Sequence, residues 1–159
     1  MEFRFTEEQQ MIRDTARAFL EDVSTPAAVR QAMATEAGYD PALWQRICQD
    51  LCFQAIHVPE QYGGMGLGYV ELCAVLEQMG RVLLCSPFFS TVCLGVSSLL
   101  VAGNDQQKQQ YLPAIVDGSL TATLAWAGPQ AARLGGQWDC NAVTATWQPG
   151  ADGFELNGE

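Results

Sequence analysis

The sequence predicts a mainly α-helical domain followed by the first strands of an incomplete β domain. Three observations carry that prediction. Helical periodicity, punctuated by caps and prolines, fills the first two-thirds of the 159 residues. From Ser119 onward the composition shifts to strand formers and turn residues. The chain then stops after two or three such strands, too few for a stable sheet. The division expected is a helical domain over 1–118 and the beginning of a β domain over 119–159.

The elements follow in order. Thr6-Glu7-Glu8-Gln9 is a capping box, and Met11, Ile12, Ala16, Phe19, Leu20 and Val23 then recur at helical spacing. Thr25-Pro26 starts a short second helix, with proline at the first helical position. Asp40-Pro41 starts a third, with Leu43, Trp44, Ile47, Cys48 and Leu51 on one face. The period stops between Phe53 and Gly68, where Val58 to Gly68 holds four glycines and a proline and reads as a structured loop. Its Gly64-x-Gly66 spacing follows no strand, so it is a weak dinucleotide signal. Helical spacing resumes through Leu72, Val75, Leu76, Met79 and Leu83.

Val82 to Asn104 carries no charge, but Ser86-Pro87 breaks it and the remainder makes about four turns. That is short for a membrane span and suits a buried helix from Phe88 to Leu100. Asn104 caps a further helix, extended by a turn through Pro113 to Gly118. Leu120 to Trp126 and Cys140 to Trp147 read as strands, and Pro149 to Gly153 as a turn before a strand at Phe154-Glu155-Leu156.

Composition narrows the function. Eight basic against eighteen acidic residues give a net charge of −10, the wrong sign for nucleic acid or an anionic membrane surface. The six cysteines form no C-x-x-C pair and fall mostly in apolar runs, so they read as reduced, buried side chains. Cys48 and Cys52, four apart, share a face if both are helical. His57, the only histidine, has no ligand-spaced partner, and no metal site is expected. The N-terminus has no basic region followed by an apolar core, so the cytoplasm is the expected compartment.

Four stretches together resemble the N-terminal part of the acyl-CoA dehydrogenase family of flavoproteins. They are Phe5-Thr6-Glu7-Glu8-Gln9 with Ile12-Arg13-Asp14 and Ala16-Arg17, the loop Val58 to Gly68, the helix Gly103 to Pro113, and Gly153-Phe154-x-Leu156-Asn157-Gly158. The resemblance implies a helical domain, a middle β domain and a C-terminal helical domain, with FAD between the last two. It implies dehydrogenation of an acyl-CoA thioester, an electron-transfer flavoprotein as acceptor, and a homo- or hetero-oligomer. The family's catalytic base comes from the C-terminal domain, so no catalytic residue is expected here. Glu60 and Glu77 read as a loop and a helix-surface carboxylate.

The family's flavin motif aligns on Pro129. The resemblance therefore puts cofactor contacts at Trp126, Ala127, Ala132 and Arg133, without the threonine and serine hydroxyls usual there. It also makes the Phe88–Leu100 helix one wall of the acyl site, with Ser90, Thr91 and Leu94 nearest the tail. Two functions follow: the N-terminal portion of an FAD-dependent dehydrogenase, inactive alone, or a flavin-poor structural subunit of a hetero-oligomeric one. A plain helical interaction domain would explain the helices but not the four ordered matches.

Overall fold

A computed structural model describes residues 4–125, 145–150 and 153–157. They fall into two compact units, Met1–Thr123 and Leu124–Glu159. The first contains α1 (Glu7–Val23), α2 (Pro26–Met33), α3 (Pro41–Asp50), α4 (Tyr69–Arg81), a π-helical segment (Phe89–Val96), α5 (Ser97–Ala102) and α6 (Asp105–Val116).

Local chemistry sets the helix starts. The Thr6 hydroxyl oxygen accepts from Gln9 N at 3.2 Å, and Gln9 Oε1 accepts from Thr6 N at 3.0 Å. Asn104 and Gln107 make the same reciprocal pair at α6. At α4, Gly68 has no side chain to accept, but the Glu71 carboxylate takes its N–H at 2.9 Å. Gln9 Nε2 also donates to Glu71 Oε1 at 2.7 Å, tying the first turn of α1 to that of α4.

The core has two parts. Ala16, Leu20, Trp44, Ile47, Leu72, Val75, Met79, Phe88 and Val92 join α1, α3, α4 and the π segment. Val58, Tyr62, Val96, Leu112 and Ile115 form a smaller cluster beneath the glycine-rich loop. That loop folds back on the chain before it, with Met65 N to Ala55 O, Gly66 N to Val58 O and Leu67 N to Ile56 O all at 2.9 Å. Its glycines meet geometric needs. Gly63 and Gly66 take φ of +83° and +64°, and a Cβ at Gly64 would lie 2.0 Å from the Val58 carbonyl oxygen. The glycines thus serve close backbone packing.

Several sequence expectations change. The Phe88–Leu100 helix is π-helical over its first half and becomes α-helical only from Ser97. The wider π turn has no distinct apolar signature, so spacing alone did not separate it. The stretch from Leu120 to Ala125 forms no strand; instead Leu120 and Ala122 pack against the helical unit. α3 ends at Asp50, and Cys52 turns left-handed at φ +53°. Cys52 is therefore exposed rather than sharing the buried face of Cys48, and Cys73 is exposed as well.

The second unit contains an antiparallel hairpin, β1 (Thr146–Gly150) with β2 (Gly153–Asn157), in which Trp147 pairs with Leu156 and Pro149 with Phe154. No helix among the described residues is long and apolar enough to cross a membrane.

Candidate functional site

The sequence-derived acyl-site residues all lie on the π segment. Ser90 is half-buried and its hydroxyl donates to Pro87 O at 3.0 Å. Thr91 is fully buried, and its Oγ1 accepts from Ala122 N at 3.2 Å. Leu94 is half-buried, and its carbonyl accepts from the Ser98 hydroxyl at 2.6 Å. Gly95 lets the extended segment approach, since a Cβ there would lie 2.7 Å from that of Ala122. The π segment is thereby held on one side by Ala122 and on the other by the core through Phe88 and Val92.

Sequence reasoning missed an apolar hollow of about 240 Å3 at the entry to this segment, which Ser90, Thr91 and Leu94 do not line. It lies between the last turns of α4 and the entry to the π segment, lined by Leu76, Met79, Gly80, Leu84, Phe88 and Phe89. Gly80 leaves it open, because a Cβ at that position would meet no heavy atom within 4 Å. Leu83 adopts φ +52° at its rim and is 73% exposed. The one legible signal was a glycine inside an otherwise regular helix, where it costs stability relative to alanine.

The described residues offer little acid–base chemistry. Glu60 and Glu77 are exposed. The Glu71 carboxyl is held below its ordinary value, first by the Gln9 side chain and then by backbone N–H groups including that of Gly68. Burial lowers the pKa of His57, whose two ring nitrogens have no hydrogen-bond partner among the described residues. No group of three His, Cys, Asp or Glu side chains among those residues could hold a metal ion. Trp126, Ala127, Ala132 and Arg133 lie outside the described residues.

Residues 6–119 match the family described as acyl-CoA dehydrogenase, N-terminal domain. The acyl-CoA dehydrogenase IpdE2 of Mycolicibacterium smegmatis is 31% identical over 121 residues, which cover 76% of this chain and 37% of that protein. A chain of the ChsE4-ChsE5 complex from Mycobacterium tuberculosis superposes with a TM-score of 0.80 at 25% identity, covering 99% of this chain and 40% of that one. An acyl-CoA dehydrogenase from Bacillus anthracis, complexed with FAD, superposes with a TM-score of 0.79 at 26% identity, covering 97% of this chain and 26% of that one. The chain thus spans well under half the length of these relatives.

Proposed function

The chain belongs to the acyl-CoA dehydrogenase family, and from that premise we propose that it is the N-terminal portion of an FAD-dependent enzyme that desaturates an acyl-CoA thioester between its α and β carbons. The hollow beside the π segment carries this reading. It is apolar and open at Gly80, with the size and chemistry to take the end of an acyl tail. Thr91 anchors the segment to Ala122, and Ser90, Thr91 and Leu94, which do not line the hollow, are the tail contacts that the family resemblance implies further along it.

The base that removes the α proton would come from the C-terminal domain that the family resemblance implies; Glu60 and Glu77 are exposed and do not line the hollow. Trp126, Ala127, Ala132 and Arg133 would hold the flavin. Their backbone groups, one indole N–H and one guanidinium fit the carbonyl and phosphate oxygens of a flavin dinucleotide, without hydroxyls at 127 and 133. FAD, when bound, supplies the hydride acceptor, and an electron-transfer flavoprotein takes the electrons. Free thiols at Cys48, Cys52, Cys73, Cys85 and Cys93 support a cytoplasmic location.

A second reading, a flavin-poor structural subunit of a hetero-oligomer, is favoured by those absent hydroxyls. Two measurements test the pair. In the enzyme carrying this chain, Gly80→Leu should lower kcat/KM for long acyl-CoAs about tenfold or more while sparing short ones. An unchanged length profile would remove the hollow from the acyl site. Ala127→Thr should tighten FAD binding by about 0.5–1.5 kcal/mol in a flavin-fluorescence titration. No FAD binding by either protein would favour the structural subunit. The isolated chain, lacking the base, should show only background dye reduction with FAD and acyl-CoAs of several lengths.

A further inference from the structure

His57 is the chain's only histidine and is 7% exposed. Both ring nitrogens are shut off from solvent and have no hydrogen-bond partner among the described residues. Burying a polar group without a partner is costly, and burying its charged form costs more still. The imidazole is therefore held neutral, with burial as the cause of its lowered pKa. The proposed reaction makes no use of it.

Its cover is thin. The Tyr69 ring lies against the imidazole, with centroids 5.5 Å apart and planes tilted by 44°. Tyr69 is the first residue of α4 and is itself 60% exposed, so its ring meets solvent as well as His57. The backbone on both sides of His57 is fixed. Leu67 N donates to Ile56 O and Gly66 N to Val58 O, both at 2.9 Å, and Ile56 and Val58 are buried. The Tyr69 side chain can move without breaking either bond. The titratable groups on the two elements that meet here are Glu60 and Tyr62 in the loop and Tyr69 and Glu71 in α4. None of them shifts the imidazole through its charge, and the Glu71 carboxylate is engaged by Gln9 and by the Gly68 N–H.

We propose that the Tyr69 ring is a proton-operated lid over His57, closed over the neutral imidazole and swung into solvent once the imidazole carries a proton. Linkage fixes the direction. With the lid open the imidazole meets water and titrates near its ordinary 6.5; with the lid closed it titrates lower. Protonation therefore favours the open form. The opening constant rises up to about tenfold for each pH unit below 6.5, until the closed form's own pKa is reached. The response is a side-chain movement at the start of α4 within a folded chain, and it does not depend on the enzymatic reading.

A single histidine makes the test direct, because the imidazole Cε1 proton gives one signal in proton NMR. Its titration midpoint should lie below 6.5. The Overhauser contact between the His57 and Tyr69 rings should be present at pH 7.5 and lost below that midpoint, with the far-ultraviolet circular dichroism unchanged. Tyr69→Ala should move the midpoint up toward 6.5, whereas Tyr69→Phe, which keeps the ring, should leave it in place. A midpoint at or above 6.5 in the unaltered chain, a ring contact that survives protonation, or a Tyr69→Ala midpoint equal to the unaltered one would overturn the proposal. So would loss of the contact only together with the helical signal, because the imidazole would then be freed by unfolding. If Tyr69→Ala does not fold, the ring contact in the unaltered chain still decides.

Discussion

The Thr91 hydroxyl oxygen accepts the backbone N–H of Ala122 at 3.2 Å, fastening the π segment to the extended stretch that follows α6. Thr91 is fully buried and Ala122 half-buried, so removing this acceptor leaves a partly shielded donor without its protein partner. Thr91→Val, which keeps the shape, should destabilise the chain by about 1–3 kcal/mol in urea unfolding. An unchanged midpoint would mean that Ala122 finds another acceptor.

Two glycines should respond in opposite ways to alanine. At Gly64 the added carbon would meet the Val58 carbonyl at 2.0 Å, so the loop backbone must move. Gly64→Ala should cost more than about 3 kcal/mol, in the range of severe overpacking. Gly80→Ala enters open space within α4 and should stabilise by about 0.5–1 kcal/mol. Thermal melts of the two variants read the contrast directly.

The thiols should react in order of exposure. Cys52 and Cys73 are exposed, whereas Cys48 is buried and its pKa is pushed up to about 12 by burial, with Cys52 and Asp117 adding to the effect. Thiol titration at pH 8 should label Cys52 and Cys73 first and Cys48 only on unfolding, which peptide mass mapping can assign. Rapid labelling of Cys48 in the folded chain would contradict its packing.

Mild acid should destabilise the fold through His57. Burial lowers its folded pKa below the ordinary 6.5, so the unfolded chain takes up a proton that the folded chain refuses. Stability should therefore fall as pH drops from 6.5 toward the lower folded value. His57→Phe should flatten that slope. Glu71 acts lower on the scale: its depressed pKa gives stability that is present above the usual carboxylate range and is lost as pH falls through the folded value. Urea midpoints between pH 3 and 8 separate the two, since Glu71→Gln should change only the acid end.

Much of this architecture was legible because its signals are local. The Thr6–Gln9 box, the Asp40-Pro41 start and the Asn104 cap each announce a helix within four residues, and the structure has a helix at each. Burial is not local. Cys52 reads as core until the end of α3 at Asp50 is known. Nothing in Pro26–Met33 shows that its apolar residues lack a full partner. The hollow is built jointly by α4 and the π segment, so no single window of sequence contains it. Gln54 is similar: it is buried and donates to both Cys48 O, at the end of α3, and Val116 O, at the end of α6 and 62 residues beyond Gln54 itself.

The two ties between α1 and α4 have a mechanical meaning. Gln9 holds Glu71 where both helices begin, and Glu21 meets Arg81 where both end, so the helices run side by side in the same direction. Sliding one past the other by a single turn, about 5.4 Å, would break the fastening at both ends. The hollow opens off the final turns of α4. The stretch of α4 that lines the hollow is thus held lengthwise by α1, a helix that does not line it.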